Sequence, residues 1–276
     1  MNIITLLTDF GLNDAYVGIM KGVILSINPY VQIIDISHSV TPQDITQSAY
    51  LISSAYKYFP QNTIHIVVVD PGVGSQRQII AAKINGHIFI CSNNGILSLI
   101  MDKNDVEIEE IICIDNDEYF LKPVSKTFHG RDIFAPIAAH LSKGIPLKKI
   151  GTAFNQDKVV KLNIAKPFIS TKNELIGQVV HIDHFGNLIT NIDSETLRKF
   201  NKIPSMFKIL INSNEINGIF DTYTDVEIGQ PIALIGSSGF LEISVNSGKG
   251  SDYFNVKNGV NIKIQTKTKK EDECLL

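Results

Sequence analysis

The sequence predicts an α/β domain with a mainly parallel central sheet, followed by a smaller all-β, barrel-like domain. In the first part, short apolar runs such as 3–7 and 63–70 alternate with segments of helical periodicity, which is typical of an α/β layer structure. After about Ala165 the helical segments give way to short β-rich runs separated by Gly, Asn and Ser. The 276 residues are enough for one large domain or for two domains of ordinary size.

Local signals mark the elements of the first domain. Thr41 and Pro42 are suited to the N-cap and first position of a helix, and Gly144 to the end of another. Asn85-Gly86 predicts a tight hairpin turn. The predicted elements are strands at 3–7, 31–37 and 63–70, helices at 14–28, 41–59 and 131–144, and a hairpin at 79–95.

The change in composition sets the expected domain boundaries. We expect the α/β domain over residues 1–165 and the β-barrel domain over 175–266. Residues 166–174 are the expected linker between them. The charged residues 267–276 are expected to form a frayed tail.

Composition also limits the partners and the location of the protein. The net charge is −3 with no basic stripe, so nucleic acid is a poor candidate partner. Cys91, Cys113 and Cys274 are odd in number and lack CxxC spacing, which predicts a reducing compartment without disulfides or a zinc ribbon. No apolar stretch is long enough to span a bilayer, and the first residues lack a signal-peptide pattern. We therefore expect a cytoplasmic protein without a membrane partner.

Two short motifs superficially suggest a protein kinase. TDFG at 8–11 contains DFG, and FHGRD at 128–132 is similar to HRD. Their order is the reverse of that in kinases, and no Gly-rich loop precedes them. What remains is Asp9 at the end of an apolar strand, and ligands of open α/β sheets bind at the carboxyl ends of strands.

Several polar residues are weak candidates when they are taken singly. Asp70 ends a strand before a Pro-Gly turn with Arg77 seven residues later, which alone is explained by an Asx-type turn and a surface arginine. Within HIDHFGN, His181 and Asp183 would share one face of a strand while His184 points away. One metal ion could not easily take all three, so we predict no metal site.

Taken together, seven ordered motifs resemble those of the S-adenosylmethionine (SAM) hydrolases, or SAM hydroxide adenosyltransferases. This family is related to fluorinating and chlorinating enzymes that use the same substrate. The resemblance extends from about residue 3 to 265. The motifs are TDFG…D at 8–14, DISH and TPQD at 35–44, VVVDPGVGSQR at 67–77, NNG at 93–95, TFHGRDIFAP at 127–136, IDHFGN at 182–187 and SSGFLEISVN at 237–246.

The resemblance implies a fold, an assembly and a reaction. It implies a seven-stranded-type sheet in the N-terminal domain, a C-terminal β-barrel, and a homotrimer. In the family, the substrate lies where the N-terminal domain of one subunit meets the C-terminal domain of its neighbour. The implied reaction is in-line attack of an activated water on ribose C5′ of SAM, giving adenosine and L-methionine without a metal or other cofactor.

The resemblance also implies contacts to the ribose and to the methionine part. Asp9 resembles the carboxylate that accepts hydrogen bonds from the ribose diol, a suitable role because a carboxylate has acceptors only. Asp14 and Asp183 resemble the residues that face the methionine ammonium group. Ser237 and Ser238 correspond to the carboxylate site, where the halogenating relatives have an arginine in place of Ser238.

The adenine site is implied by a second group of residues. Phe185 and Tyr223 resemble the aromatic walls, and Asn187 the amide that contacts the edge of the base. Phe128 and Asn246, which belong to the matched motifs, complete the implied substrate-binding set.

Asp70, Arg77 and His129 match the water-handling set of the family. We expect a hydrogen-bonded relay in which Arg77 keeps Asp70 ionised, while either Asp70 or His129 is the base. The halogenating enzymes have other residues here, so this set favours water over halide. Two alternatives stay open at this point: a halide-using synthase of 5′-halo-5′-deoxyadenosine, and a SAM- or adenosine-binding protein without catalysis.

Overall fold

The computed structural model describes residues 2–103, 105–201 and 203–267. The chain forms two compact units, Met1–Leu162 and Asn163–Leu276. Cys91 and Cys113 are free thiols, whereas Cys274 and most of the expected tail lie outside the described residues. In the described part of the chain, no helix combines the length and apolar character needed to cross a bilayer.

A seven-stranded sheet forms the centre of the first unit, in the order β2-β1-β3-β5-β4-β6-β7. The first four strands in this order, β2-β1-β3-β5, pair in parallel, and the remaining pairs are antiparallel. The predicted α/β class is confirmed, with parallel pairing in one half of the sheet. The strands are β1 Ile3–Thr8, β2 Gln32–Ser37, β3 Ile64–Val68, β4 Ile79–Ile84, β5 His87–Ser92, β6 Ile108–Ile114 and β7 Gly151–Ala153.

Helices cover both faces of this sheet. Buried residues of α1 and α4 pack in one core cluster, and buried residues of α2 and α3 pack in another. The helices are α1 Tyr16–Ile27, α2 Ile45–Ala55, α3 Ser98–Met101 and α4 Ala135–Ser142. Short 3₁₀ turns occupy Tyr56–Tyr58, Asp117–Tyr119, Leu147–Lys149 and Gln156–Lys158.

Two helix starts differ from the sequence prediction. The helix expected from Thr41 begins at Ile45, because the carboxylate of Asp44 caps it by accepting a hydrogen bond from the Gln47 N–H at 2.8 Å. Gln43 has a positive φ of 66°, so no helix can continue through it. The helix expected over 131–144 begins with a π-helical turn, Gly130–Phe134, before α4.

The predicted hairpin is confirmed. Asn85 and Gly86 have φ values of 48° and 74°, as a type I′ turn requires at both central positions. Asn at the first and Gly at the second position tolerate this conformation, so the turn residues fix the register of β4 on β5.

The second unit is an eight-stranded, barrel-like sheet in which every strand pair is antiparallel. Its strands are β8 Phe168–Ile169, β9 Leu175–Ile182, β10 Leu188–Asp193, β11 Phe207–Ile211, β12 Asn214–Asn217, β13 Pro231–Ile235, β14 Phe240–Val245 and β15 Asn261–Thr266. Helices α5 Ser194–Phe200 and α6 Gly250–Phe254 and the 3₁₀ turns Pro204–Met206 and Tyr223–Asp225 lie between them.

The segment 166–174, expected as a linker, contains a short strand. Phe168 and Ile169 form β8 and pair with Ile176 and Leu175 of β9. This strand is not evident from the sequence because two residues are too few to show the alternation of a strand.

Candidate functional site

The carboxyl ends of three neighbouring parallel strands bring polar residues to one edge of the first unit. Asp9 directly follows β1, Asp70 lies two residues beyond β3, and Ser92 is the last residue of β5. Because β1 pairs with β3 and β3 with β5, these positions are adjacent across the sheet. This is the edge at which open α/β sheets bind ligands.

Asp70 is held through one of its two carboxylate oxygens. Arg77 donates from Nε to Oδ2 at 2.7 Å and also from Nη2, and the Ser92 hydroxyl donates to the same oxygen at 2.8 Å. The other oxygen, Oδ1, is buried and has no hydrogen-bond partner in the described part of the chain. A buried carboxylate oxygen without a donor is unusual in folded proteins and marks the group as a candidate for function.

The hydrogen bond to Arg77 fixes the tautomer of His129. Arg77 Nη2 lies 2.9 Å from His129 Nδ1. Because a guanidinium group can only donate, Nδ1 must accept, and a neutral His129 carries its proton on Nε2. Burial and then the positive charge of Arg77 lower the pKa of His129, although nearby aspartates and a hydrogen bond with the Ser125 backbone oppose this. A neutral imidazole in one fixed orientation results.

The π-helical turn after His129 is fixed by Asp132. The Asp132 side chain is fully buried and accepts hydrogen bonds from Arg131 at 2.6 and 2.9 Å and from the Ser125 N–H at 2.7 Å. Burial alone would raise the pKa of Asp132, but these hydrogen bonds outweigh it and the net pKa is lowered. An ionised Asp132 therefore connects the turn to the segment 125–127 through the hydrogen bond from Ser125.

These groups surround a cavity of about 190 Å³. Asp9, Asp70 and His129 supply its charged and polar walls, and Phe10 and Phe128 supply an apolar wall. The two phenylalanine rings meet edge to face with centroids 5.9 Å apart. The cavity therefore combines carboxylates with an aromatic surface, as a polar organic ligand requires.

Asp9 is oriented by the strained backbone of Gln43. The Gln43 N–H donates to Asp9 Oδ2 at 2.8 Å, from a residue with φ of 66°. A carboxylate can accept about four hydrogen bonds, so most of the acceptor capacity of Asp9 is still available for a ligand. Asp14 is exposed just before α1 and does not belong to the described wall of this cavity.

In the second unit, Asp183 organises the turn between β9 and β10. Its Oδ1 accepts from the N–H groups of Phe185 and Asn187, both at 2.9 Å, and its Oδ2 accepts from the Asn187 side chain at 2.9 Å. The sequence pattern predicts that Asp183 lies on a strand, but β9 ends at Ile182 because the chain turns here, with Gly186 at φ 85°.

This turn borders a second cavity, of about 640 Å³. Phe185, Asn187 and Tyr223 line it, together with His184, Ser247 and Lys249. Phe185 is 70% exposed, so one face of its ring is available for stacking. Burial and then a hydrogen bond to Glu242 raise the pKa of Tyr223, which keeps its phenol protonated. Two aromatic rings and an amide thus lie together, as expected for a purine site.

Three other predicted residues lie outside the described wall of this second cavity. Ser237 and Ser238 form the turn between β13 and β14, at the opposite end of β14 from the cavity-lining Val245. The side chain of Asn246 donates to the Val226 carbonyl at 2.8 Å. Their assignment to the substrate therefore stays a prediction.

Ser92 and Glu242 were not among the residues predicted from the sequence. Ser92 could have been found, because it precedes the NNG motif at the end of an apolar run next to the strand that leads to Asp70. Glu242 could not have been found from the sequence, because its position on β14 does not indicate that the Tyr223 hydroxyl lies 2.5 Å away.

Over the described ranges of the chain, no three His, Cys, Asp or Glu side chains are grouped as a metal ion would need.

The chain is similar to proteins of one enzyme family. Residues 4–151 match the SAM hydroxide adenosyltransferase N-terminal domain, and residues 177–263 match the corresponding C-terminal domain. The (R)-S-adenosyl-L-methionine hydrolase of Methanocaldococcus jannaschii is 37% identical over 93% of each chain. A fluorinase of Actinoplanes sp. is 29% identical over 95% of this chain and 97% of its own.

A solved structure is similar over nearly the whole chain. The crystal structure of an uncharacterised conserved protein from Thermotoga maritima superposes with a TM-score of 0.88 at 37% identity, covering 95% of this chain and 99% of the other. Both domain matches and full-length similarity therefore agree that the chain belongs to the SAM hydroxide adenosyltransferase family.

Proposed function

We propose that this protein hydrolyses SAM to adenosine and L-methionine. The observation that carries the proposal is the Asp70–Arg77–His129 set, joined by hydrogen bonds beside the cavity that also holds Asp9. A water molecule in this cavity attacks ribose C5′ as the C5′–S bond breaks. The departing methionine sulfur keeps the bonding electron pair and becomes a neutral thioether, which makes methionine a good leaving group.

Asp70 is the proposed base. His129 Nδ1 already accepts from Arg77, and its other ring nitrogen carries the proton of the neutral form, so the ring has no free acceptor. Among the described residues, no hydrogen-bond donor contacts Oδ1 of Asp70, and in this proposal that oxygen takes the proton of the attacking water. His129 then orients Arg77 and the water, and the proton passes from Asp70 to solvent afterwards.

The substrate contacts follow from the two cavities. Asp9 accepts from the two ribose hydroxyls, and adenine stacks against Phe185 and Tyr223 with Asn187 at its edge. We further propose that Asp14 and Asp183 face the ammonium group. Ser237 and Ser238 are the proposed carboxylate contacts.

We also propose a homotrimer in which the site is shared between subunits. Each unit carries only part of the predicted set, with the ribose and water groups in one and the adenine groups in the other. Mixing an inactive Asp9→Ala chain with an inactive Asn187→Ala chain should restore activity in hybrids. Verified mixed trimers without activity would argue against shared sites.

The proposed reaction takes place in the cytoplasm and needs no metal or other cofactor. The cysteine pattern supports the location, and the absence of a metal-ligand pattern in the sequence supports the chemistry. Turnover should be unchanged by EDTA. Loss of activity with EDTA that a divalent ion restores would contradict this part.

Product identification tests the function. Purified protein is incubated with SAM, with and without chloride, and the nucleoside is identified by chromatography and mass spectrometry. Adenosine in both samples is expected. A halogenated nucleoside would indicate a halide-using synthase, and unchanged SAM in the presence of a bound ligand would indicate a binding protein.

A further inference from the structure

Glu242 is a buried carboxylate on the outer face of the barrel. Along β14, Leu241 and Ile243 point into the barrel core, so Glu242 and Ser244 point to the opposite face. Both are nevertheless buried, with 6% and 0% exposure. A buried carboxylate is costly unless hydrogen bonds compensate for the lost water, so its partners indicate its role.

Its partners are two hydroxyl groups. Tyr223 donates to Glu242 Oε1 at 2.5 Å, and Ser244 donates to the same oxygen at 2.9 Å. Hydrogen bonds from hydroxyls to an ionised carboxylate are short and stronger than neutral ones. On the other side, a Cβ added to Gly236 would lie 2.5 Å from Oε2, so the glycine backbone closely encloses the carboxylate. Glu242 is therefore held in one position by its surroundings.

Tyr223 is, by contrast, an exposed residue of a short loop element. It begins the three-residue 3₁₀ turn Tyr223–Asp225 and is 40% exposed. Its ring lines the same cavity as Phe185 and Asn187. An exposed aromatic side chain would ordinarily sample several rotamers, and ordering it on ligand binding would lower the affinity. The hydrogen bond to Glu242 orders the Tyr223 ring before the ligand binds.

We propose that Glu242 is a positioning residue, which fixes the Tyr223 ring as a preformed wall of the adenine site. The proposal rests on the proposed function, because it takes this cavity as the place where the base of SAM binds. Glu242 touches Tyr223 and not the reacting atoms, so it acts on substrate affinity and not on the displacement step.

The test compares KM with kcat. Tyr223→Phe keeps the ring and removes only the hydroxyl, so KM for SAM should rise about threefold to tenfold, the scale of ordering one side chain, while kcat changes by less than about twofold. Glu242→Ala should produce a similar rise. The double variant should be no worse than the more affected single variant, because both changes break the same bond. Glu242→Gln keeps a carbonyl acceptor and should recover most of the affinity.

A matched control separates this role from general stability. Tyr253→Phe also removes a hydroxyl from an exposed tyrosine of the second unit, and it should leave KM unchanged. Thermal midpoints are measured for all variants, and the Kd of adenosine is measured by calorimetry. An unchanged KM and adenosine Kd in Tyr223→Phe would overturn the proposal. It would also be overturned if the rise in KM of the double variant were the product of the rises in Tyr223→Phe and Glu242→Ala.

The adenosine measurement also keeps the two proposals distinguishable. If the unmodified protein binds adenosine but does not convert SAM, the proposed function fails, while weaker adenosine binding by Tyr223→Phe still supports the role of Glu242. If the protein converts SAM and Tyr223→Phe behaves like the unmodified protein, only the role of Glu242 fails.

Discussion

A buried pair of histidines predicts that the first unit loses stability in mild acid. His65 is fully buried in β3, with Nδ1 2.7 Å from the Thr5 hydroxyl and Nε2 3.1 Å from Nδ1 of His87. Its ring stacks on Phe89 with centroids 5.0 Å apart. Burial, and then the neighbouring His87, lower the pKa of His65 from 6.5 to about 3.

The sign and size of the effect follow from proton linkage. Between these two pKa values, the unfolded chain binds a proton that folded His65 does not, so acidification favours unfolding. The stability is fully present above pH 6.5 and is lost as the pH falls towards 3. From pH 7 to pH 5, His65 alone accounts for a loss of about 2 kcal/mol. Burial also lowers the pKa of His87, which acts in the same direction.

The assay is urea unfolding at pH 7 and pH 5, followed by circular dichroism at one fixed protein concentration. His65→Gln has a side chain that does not titrate, so it should lose about 2 kcal/mol less than the unmodified protein over this interval. His184→Gln makes the same chemical change at an exposed position and should follow the unmodified protein. Equal losses in the unmodified protein and His65→Gln would show that His65 does not cause the loss of stability.

Two further predictions concern the proposed base and a tight strand contact. Asp70→Asn should lower kcat by a factor on the order of 10² or more with little change in KM. His129→Gln should lower kcat less, because its amide can still accept from Arg77. A larger loss of kcat in His129→Gln than in Asp70→Asn, measured by steady-state kinetics, would exchange the two roles. Gly151→Ala should destabilise the first unit by at least about 2 kcal/mol, because its Cβ would lie 1.8 Å from the Cys113 carbonyl oxygen. Gly18→Ala lies at an open helical position and should instead stabilise the first unit by up to about 1 kcal/mol in the same urea assay. Equal effects of the two substitutions would show that the close contact at Gly151 does not affect stability.

The fold was predictable where local signals agree with the final environment. The apolar run of β1 is buried between two parallel neighbours, and Asn85-Gly86 forms the turn that its residue types favour. The predicted start of α2 was wrong because Thr41 and Asp44 are both suitable N-caps. The contact of Gln43 with Asp9 decides between them. That contact joins residues 34 positions apart, which no local pattern shows.

The candidate site was predictable as residue types but not as geometry. Motif order indicated Asp70, Arg77 and His129, and the structure joins these three residues by hydrogen bonds. Tertiary packing sets the side-chain positions that decide which nitrogen of His129 accepts. It also decides which oxygen of Asp70 has no donor among the described residues. Ser92 and Glu242 act through partners 22 and 19 residues away, so their contacts appear only in the folded chain.

A single-turnover reaction in H₂¹⁸O tests whether water held near Asp70 attacks C5′ directly. Protein in excess over SAM is mixed in labelled water, and both adenosine and the tryptic peptide that contains Asp70 are examined by mass spectrometry. Direct attack places ¹⁸O in the 5′-hydroxyl of adenosine and none in Asp70. Unlabelled adenosine together with ¹⁸O in the Asp70 carboxylate would show a covalent ester intermediate instead, and would contradict the proposed role of Asp70 as a base.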